Sequence, residues 1–170
     1  MNNGKNKDLN KEESVAKLRE LAEGKTCMFC TFTKEYSIKA RPMTALSIED
    51  DGSIWFMSRA ESDKNREISL NPKVELLFAL GAVTYIKAEG SAEISRDQAM
   101  IDKLWSAYSE AWFERGKEDP AVTLIKIKLK EGYYWDSRHG VVVSALKMVY
   151  NAITGPGDDD GVEGKLEFRG

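Results

Sequence analysis

Cysteine, histidine and proline are scarce in this 170-residue chain, which has two, one and four of them respectively. Two thiols and one imidazole cannot assemble a four-cysteine zinc site, or one of two cysteines and two histidines, within a single chain, so no metal site is expected. No apolar run approaches the roughly 20 residues that a membrane-crossing helix needs; among the longest, Val74 to Val83 is interrupted by Glu75. Charge of one sign is not in excess either. Lys and Arg number 25 against 28 Asp and Glu, a net charge of −3, which leaves no global positive field for nucleic acid or an anionic membrane. Met1 to Asn10 is rich in Asn and Lys and has no apolar segment of the signal-peptide kind, and the expected location is the cytoplasm.

What the chain does carry is periodicity. Asn10 with Glu13 has the N-cap and N3 spacing of a capping box, and Val15, Leu18, Leu21 and Ala22 recur at helical spacing before Gly24. A helix with one buried face is expected there. From Thr26 the pattern changes: Thr26 to Thr33, Ser37 to Ile48 and Ser53 to Ser58 read as strands in meander order, with Glu49 to Gly52 as a turn. Ser62 to Leu70 reads as a short helix capped by Ser62 and stopped at Asn71-Pro72. Lys73 to Leu80 and Val83 to Ser95 follow as two more strands joined at Gly81, with Gly90 marking a bulge. Asp97 opens a longer helix with Met100, Ile101, Leu104, Ala107 or Tyr108, Ala111 and Trp112 as its buried stripe, ended by Gly116 to Pro120. Ile125, Ile127 and Leu129 alternate with Lys126, Lys128 and Lys130 in a strand that continues through Tyr133 to Asp136. Val142, Leu146, Val149 and Ile153 fit a last helix, and Gly155 to Gly164 is a Gly- and Asp-rich loop or tail. The pattern predicts an α+β fold built on a six-stranded antiparallel barrel with flanking helices. It forms one domain over residues 12–154, between a disordered leader at 1–11 and a loosely packed tail at 155–170.

Three features with the look of chemistry have plainer explanations. Cys27 and Cys30 are spaced as C-x-x-C but lie in a strand-like run, where residues three apart point to opposite faces, so buried inert thiols are expected. His139 reads as a surface-loop histidine. Asp158 to Asp160 lacks the alternating ligands and distal Glu of a calcium loop and reads as solvated tail.

Two segments are more informative. In Lys39-Ala40-Arg41-Pro42-Met43-Thr44, Pro42 cannot donate to a ladder and implies an edge or bulge that re-aims its neighbours. Trp55 to Lys64 places Ser58 at a strand end and Ser62 and Lys64 at the first turn of a helix. Hydroxyls, free amides, a helix dipole and a point charge converge there as an anion such as phosphate requires. A capping serine among surface cations accounts for the same residues.

The strand order, Ala40-Arg41-Pro42-Met43-Thr44, Ser62-x-Lys64, Asn71-Pro72, Gly90 and Tyr134-Trp135-Asp136 together resemble the flavin-binding split barrels of the pyridoxamine 5'-phosphate oxidase-like family. Trp112-Phe113 and Gly116 to Pro120 are similar to its general stress protein branch, and the likeness spans about Glu12 to Thr154. The resemblance implies a homodimeric six-stranded antiparallel split β-barrel with FMN in a groove between subunits. In that pattern Arg41 and Lys64 grip the phosphate with Ser58 and Ser62, Met43 and Thr44 offer main-chain contacts along the ring, Met57 flanks it, and Tyr85 and Trp135 line the remainder. Asp63 stands where the oxidases carry a second phosphate-binding Arg, and their C-terminal Arg-and-His segment has no counterpart, which argues against vitamin B6 oxidation. The resemblance thus implies a flavin-dependent oxidoreductase tied to stress, with a small-molecule electron donor or acceptor. The alternatives are a protein that holds or senses FMN without turnover, and a split barrel for another cofactor, a deazaflavin or haem. No residue is nominated as acid or base.

Overall fold

A computed structural model describes residues 5–33, 37–81, 83–136 and 162–168. The chain order is β1 (Lys5–Asn6), α1 (Lys11–Ala22), β2 (Thr26–Phe32), β3 (Ile38–Thr44), β4 (Ser47–Ile48), β5 (Ile54–Arg59), α2 (Asp63–Leu70), β6 (Lys73–Ala79) and β7 (Thr84–Ser95). Then come α3 (Gln98–Leu104), α4 (Ala107–Glu110), a 3-10 turn at Gly116–Glu118, β8 (Val122–Asp136) and β9 (Val162–Glu167).

The result is a curled antiparallel sheet with helices at its ends, the α+β architecture that the periodicity predicts. Its ladders run β3–β2–β6–β7–β8, and the long β8 pairs with β5 along Val122 to Ile127 and with β9 along Glu131 to Asp136. The expected strand from Ser37 to Ile48 is two strands, because the chain changes partners at a corner. Ala45 exchanges backbone hydrogen bonds with the segment before β2, and the Leu46 N–H then donates to the Trp55 carbonyl at 2.8 Å. The corner brings β4 onto β5 and curls the sheet towards a barrel. Among the described residues no ladder joins β3 to β5, so the barrel is split between them.

Alternation explains the core. Phe29, Phe56, Leu76, Ile86, Ile125 and Ile127 point inward from five strands, and Phe29 meets Phe56 edge-on at 5.2 Å between ring centroids. Truncating either ring would cost about 3–5 kcal/mol. Helix α1 closes one end with Val15, Leu18, Leu21 and Ala22, and its capping box is present: the Asn10 side chain accepts from the Glu13 N–H and Glu13 accepts from the Asn10 N–H, both at 3.1 Å. An ion pair from half-buried Lys17 to buried Asp136 at 2.6 Å ties α1 to the end of β8.

The bulge lies where Gly90 places it, but the extra residue is on the opposite strand. Gly90 faces Leu129 and Glu89 faces Glu131, so Lys130 is unmatched and the inward set of β8 changes from Ile125, Ile127 and Leu129 to Tyr134 and Asp136. A side chain on Gly90 would bring its Cβ to 2.6 Å from the Lys128 carbonyl oxygen.

Three expectations are corrected. Residues 98–110 form two helices with a break at Trp105 and Ser106, both extended. Trp105 packs against Phe113 at 6.0 Å, and a serine favours a helix boundary over a helix interior. As a consequence Trp112, placed on the buried stripe by a continuous period, is 58% exposed and Phe113 only 4%. Residues 162–167, assigned to a loosely packed tail by their glycine and acidic surroundings, are β9, with Leu166 and Phe168 buried in alternation with exposed Lys165 and Glu167. Lys5 and Asn6 of the expected disordered leader pair with β9 as β1, in parallel. The expected helix from Val142 to Ile153, His139 and Asp158 to Asp160 lie outside the described residues.

Candidate functional site

A pocket of about 250 Å³ occupies the split. One wall is Pro42, Met43 and Thr44 at the end of β3 with Leu46 of the corner. Facing it are Met57, Ser58 and Arg59 at the end of β5, with Ser62 and Lys64 at the start of α2. Ser109, Trp112 and Phe113 close the third side. Pro42 suits this edge because a strand without a ladder partner on one side loses nothing by lacking an N–H. The pocket therefore combines sulfur and aromatic side chains with hydroxyls and two cations.

Six of the nine residues that the sequence nominated meet here: Met43, Thr44, Met57, Ser58, Ser62 and Lys64. Arg41 does not line the pocket. It points inward at the same level, where its guanidinium donates to Thr31 Oγ1 and to Glu67 Oε2, each at 2.6 Å. Tyr85 and Trp135 lie elsewhere, directly opposite each other on β7 and β8, on the outer face at 43% and 39% exposure. Asp63, flagged as a negative charge at the phosphate end, is ion-paired with Arg66 one turn along α2.

Sequence reading missed Leu46, Arg59 and Ser109, and gave no site role to Trp112 and Phe113. Arg59 donates from Nη1 to the Trp112 carbonyl at 2.8 Å, and its guanidinium carbon lies 5.5 Å from the Phe113 ring centroid. Its place directly after Ser58 on a strand that ends at the pocket was the available signal. A hydroxyl and amide network pins the hydroxyls: the Ser62 side chain caps α2, Ser58 Oγ is 3.1 Å from Ser62 Oγ and 2.8 Å from Asn65 Oδ1, and Asn65 Nδ2 donates to Thr123 at 3.0 Å. Lys64 is half-buried, and burial first, then the neighbouring Arg41, hold its amine below the ordinary lysine pKa.

Other sites are weaker. A larger open depression of about 500 Å³ crosses β7, β8 and β9, but its charges alternate, with Lys87 held by Glu89 at 2.8 Å. Cys27 and Cys30 are both buried, on opposite faces of β2; Cys27 packs in the core, and burial pushes its thiol up to about 12. No group of metal-ligating side chains occurs among the described residues, and no helix there is long and apolar enough to cross a membrane.

Fold and pocket together define a split barrel with a cleft between its unpaired edges. The chain belongs to the Pyridoxamine 5'-phosphate oxidase like family, whose profile matches residues 13–159. It is 31% identical over 83 residues to General stress protein 26 of Bacillus subtilis (strain 168), a match covering 46% of this chain and 59% of the relative. To the Pyridoxine/pyridoxamine 5'-phosphate oxidase of Anaplasma phagocytophilum (strain HZ) it is 31% identical over 131 residues, covering 72% of this chain and 63% of that one. The chain thus spans about three fifths of the curated relatives it matches. Among solved structures, the general stress FMN/FAD binding protein of Xanthomonas citri superposes with a TM-score of 0.63 at 29% identity, over 74% of this chain and 89% of its own. A structure from Jannaschia sp. CCS1 superposes with a TM-score of 0.70 over 92% of this chain and 96% of its own; at 23% identity it shows the shared fold.

Proposed function

We propose that this chain binds FMN in the split between β3 and β5 and serves as a flavin-dependent oxidoreductase of the general stress protein group, in the cytoplasm, where free thiols stay reduced. The observation that carries the reading is that one pocket is lined by two kinds of side chain, Met43, Met57, Leu46 and Phe113 and then Lys64, Ser62 and Arg59. A flat apolar ring suits the first and a phosphate the second. The family membership and the FMN/FAD-binding relative from Xanthomonas citri support the same cofactor.

Bound FMN would supply hydride or electron transfer. The chain's part is to hold the phosphate at the start of α2, to orient the ring between the edges of β3 and β5, and to exclude water with Trp112 and Phe113. Among the described residues the lining includes no carboxylate or imidazole. We therefore assign no acid or base, and keep FMN holding without turnover as the second reading.

The assembly proposed is a homodimer. A cleft for a cofactor of this size is about 300–1,000 Å³, and this pocket, at about 250 Å³, lies at or below the lower end. From Pro42 at its rim an apolar band crosses the outer face through Met28 and Leu77 to Ala79, Tyr85 and Trp135, each beside the next in the sheet. A second copy seated on that band would bring Tyr85 and Trp135 to the cleft.

The test is to purify the protein, denature it and identify the released ligand by mass and absorption, then titrate the stripped protein with FMN. FMN recovered at one per chain, with the bound flavin reduced anaerobically by a nicotinamide donor, supports the oxidoreductase. Binding without reduction by any donor leaves the holding role. A released deazaflavin or haem overturns the FMN assignment.

A further inference from the structure

The hydrogen bonds around the polar side chains of the pocket fix which donors remain for an anion. Thr123 has one proton and gives it to the Ser58 carbonyl at 3.0 Å, so its oxygen accepts from Asn65 Nδ2, also at 3.0 Å. The Asn65 amide is thereby oriented with Oδ1 towards Ser58, and an amide oxygen only accepts. Ser58 Oγ, 2.8 Å away, must be the donor. Ser58, Asn65 and Thr123 are all buried, so withdrawing that proton would leave a buried acceptor unpaired. Ser58 is left with an accepting lone pair, and Ser62 Oγ at 3.1 Å is the hydroxyl beside it. Ser62 is half-buried and lines the pocket, and its one proton can turn from Ser58 to an anion, exchanging a neutral hydrogen bond for a charge-assisted one.

Arg41 is committed in the same way. It gives two of its five N–H donors to Thr31 and Glu67; Thr31, fully buried, donates to the same Glu67 oxygen, and Arg41 does not line the pocket. Turning Arg41 to a ligand would strip a largely buried carboxylate of its cation. Arg59 differs: of its five N–H donors, one is given to the Trp112 carbonyl, and the side chain lines the pocket beside Lys64 and Ser62.

We propose that a phosphomonoester in this pocket is held by Lys64, Arg59 and the Ser62 hydroxyl, and that Ser58 and Arg41 are positioning residues. The proposal rests on the flavin reading and reassigns two of the phosphate contacts that the family resemblance implies. Arg59 supplies a second cation to a pocket whose helix start carries Asp63 in place of the oxidases' arginine.

The test compares FMN with riboflavin, which lacks the phosphate, in titrations of stripped native protein and of Arg59→Ala, Ser62→Ala, Arg41→Ala and Ser58→Ala at fixed salt. Arg59→Ala and Ser62→Ala should each weaken FMN about ten-fold and leave riboflavin unchanged, and Arg59→Lys should restore part of the loss. Arg41→Ala and Ser58→Ala should change both flavins by one common factor, together with a lower melting temperature. If Arg41→Ala fails to fold, the double variant Arg41→Ala/Glu67→Ala removes the pair together and carries the same comparison. Selective loss of FMN in Arg41→Ala or Ser58→Ala, or an unchanged FMN-to-riboflavin ratio in Arg59→Ala, overturns the assignment. Inorganic phosphate provides an arm independent of flavin. If the native protein binds neither flavin, the flavin reading fails, while thermal stabilisation by phosphate that is lost in Arg59→Ala and kept in Arg41→Ala still supports these donors, and the reverse pattern refutes them.

Discussion

Lys64→Met keeps the aliphatic stem against the pocket wall and removes the ammonium. A charge-assisted hydrogen bond contributes about 1.5–3 kcal/mol, so FMN affinity should fall by about ten-fold to somewhat over a hundred-fold, while riboflavin affinity holds. The pH dependence is more discriminating. Burial, and after it the positive charge of Arg41, lower the Lys64 pKa, with Glu67 and Asp63 pulling in the opposite direction. An amine so placed gives up its proton at a lower pH than a free lysine, and the phosphate, dianionic above about pH 6, binds the protonated form. FMN affinity therefore declines as pH rises through the lowered pKa, by at most about one log unit per pH unit for a single proton. Lys64→Arg should abolish the decline, because guanidinium stays charged. Flavin fluorescence titrations from neutral to alkaline pH, at constant ionic strength to hold screening fixed, give the FMN-to-riboflavin ratio at each point, and titration of the ring itself cancels in that ratio. A ratio unchanged by Lys64→Met, or a native decline that survives Lys64→Arg, would refute the role given to Lys64.

Gly90→Ala should destabilise the fold, since its Cβ would lie 2.6 Å from the Lys128 carbonyl oxygen and 2.9 Å from Ile127 Cγ2; the overpacking costs about 1–3 kcal/mol, or about 2–12 °C in melting temperature, and an unaltered melt would mean that the β7–β8 bulge is placed wrongly. Cys27 and Cys30 should resist alkylation near pH 8 in the native protein and react fully once it is unfolded, because burial raises both thiols and Glu75 adds to the effect at Cys30; rapid native labelling would contradict that burial. Light scattering at low concentration should give twice the 19.1 kDa chain mass, and Trp135→Asp should lower both the mass and the flavin content; a native monomer that still binds FMN tightly would sink the shared cleft.

The parts legible in the sequence are those whose physics is local. The capping box at Asn10 and Glu13 lies within one turn, and Met57, Ser58, Ser62 and Lys64 come from a single strand, turn and helix start, so spacing alone brings them together. Arg41 shows where that logic stops. Its position on β3 is readable, but its partner Glu67 lies 26 residues on, and only the docking of α2 over the inner end of β2 and β3 makes an internal ion pair of a residue that looks like a free cation. Strand parity fails for a related reason. Ile125, Ile127 and Leu129 announce an odd inward face, and Lys130 reverses it without any local mark, because the cause is Gly90 on the neighbouring strand. The reversal sends Trp135 outward beside Tyr85 and buries Asp136 against Lys17. Residues 162–168 were readable in principle, since Leu166 and Phe168 alternate with Lys165 and Glu167, but the pattern is short and follows a Gly- and Asp-rich run. A donor inventory needs still more than topology. Ser58 and Ser62 are chemically alike and four residues apart, and what separates a positioning serine from a binding one is the direction of a single proton, set by Thr123 at a distance of 65 residues along the chain.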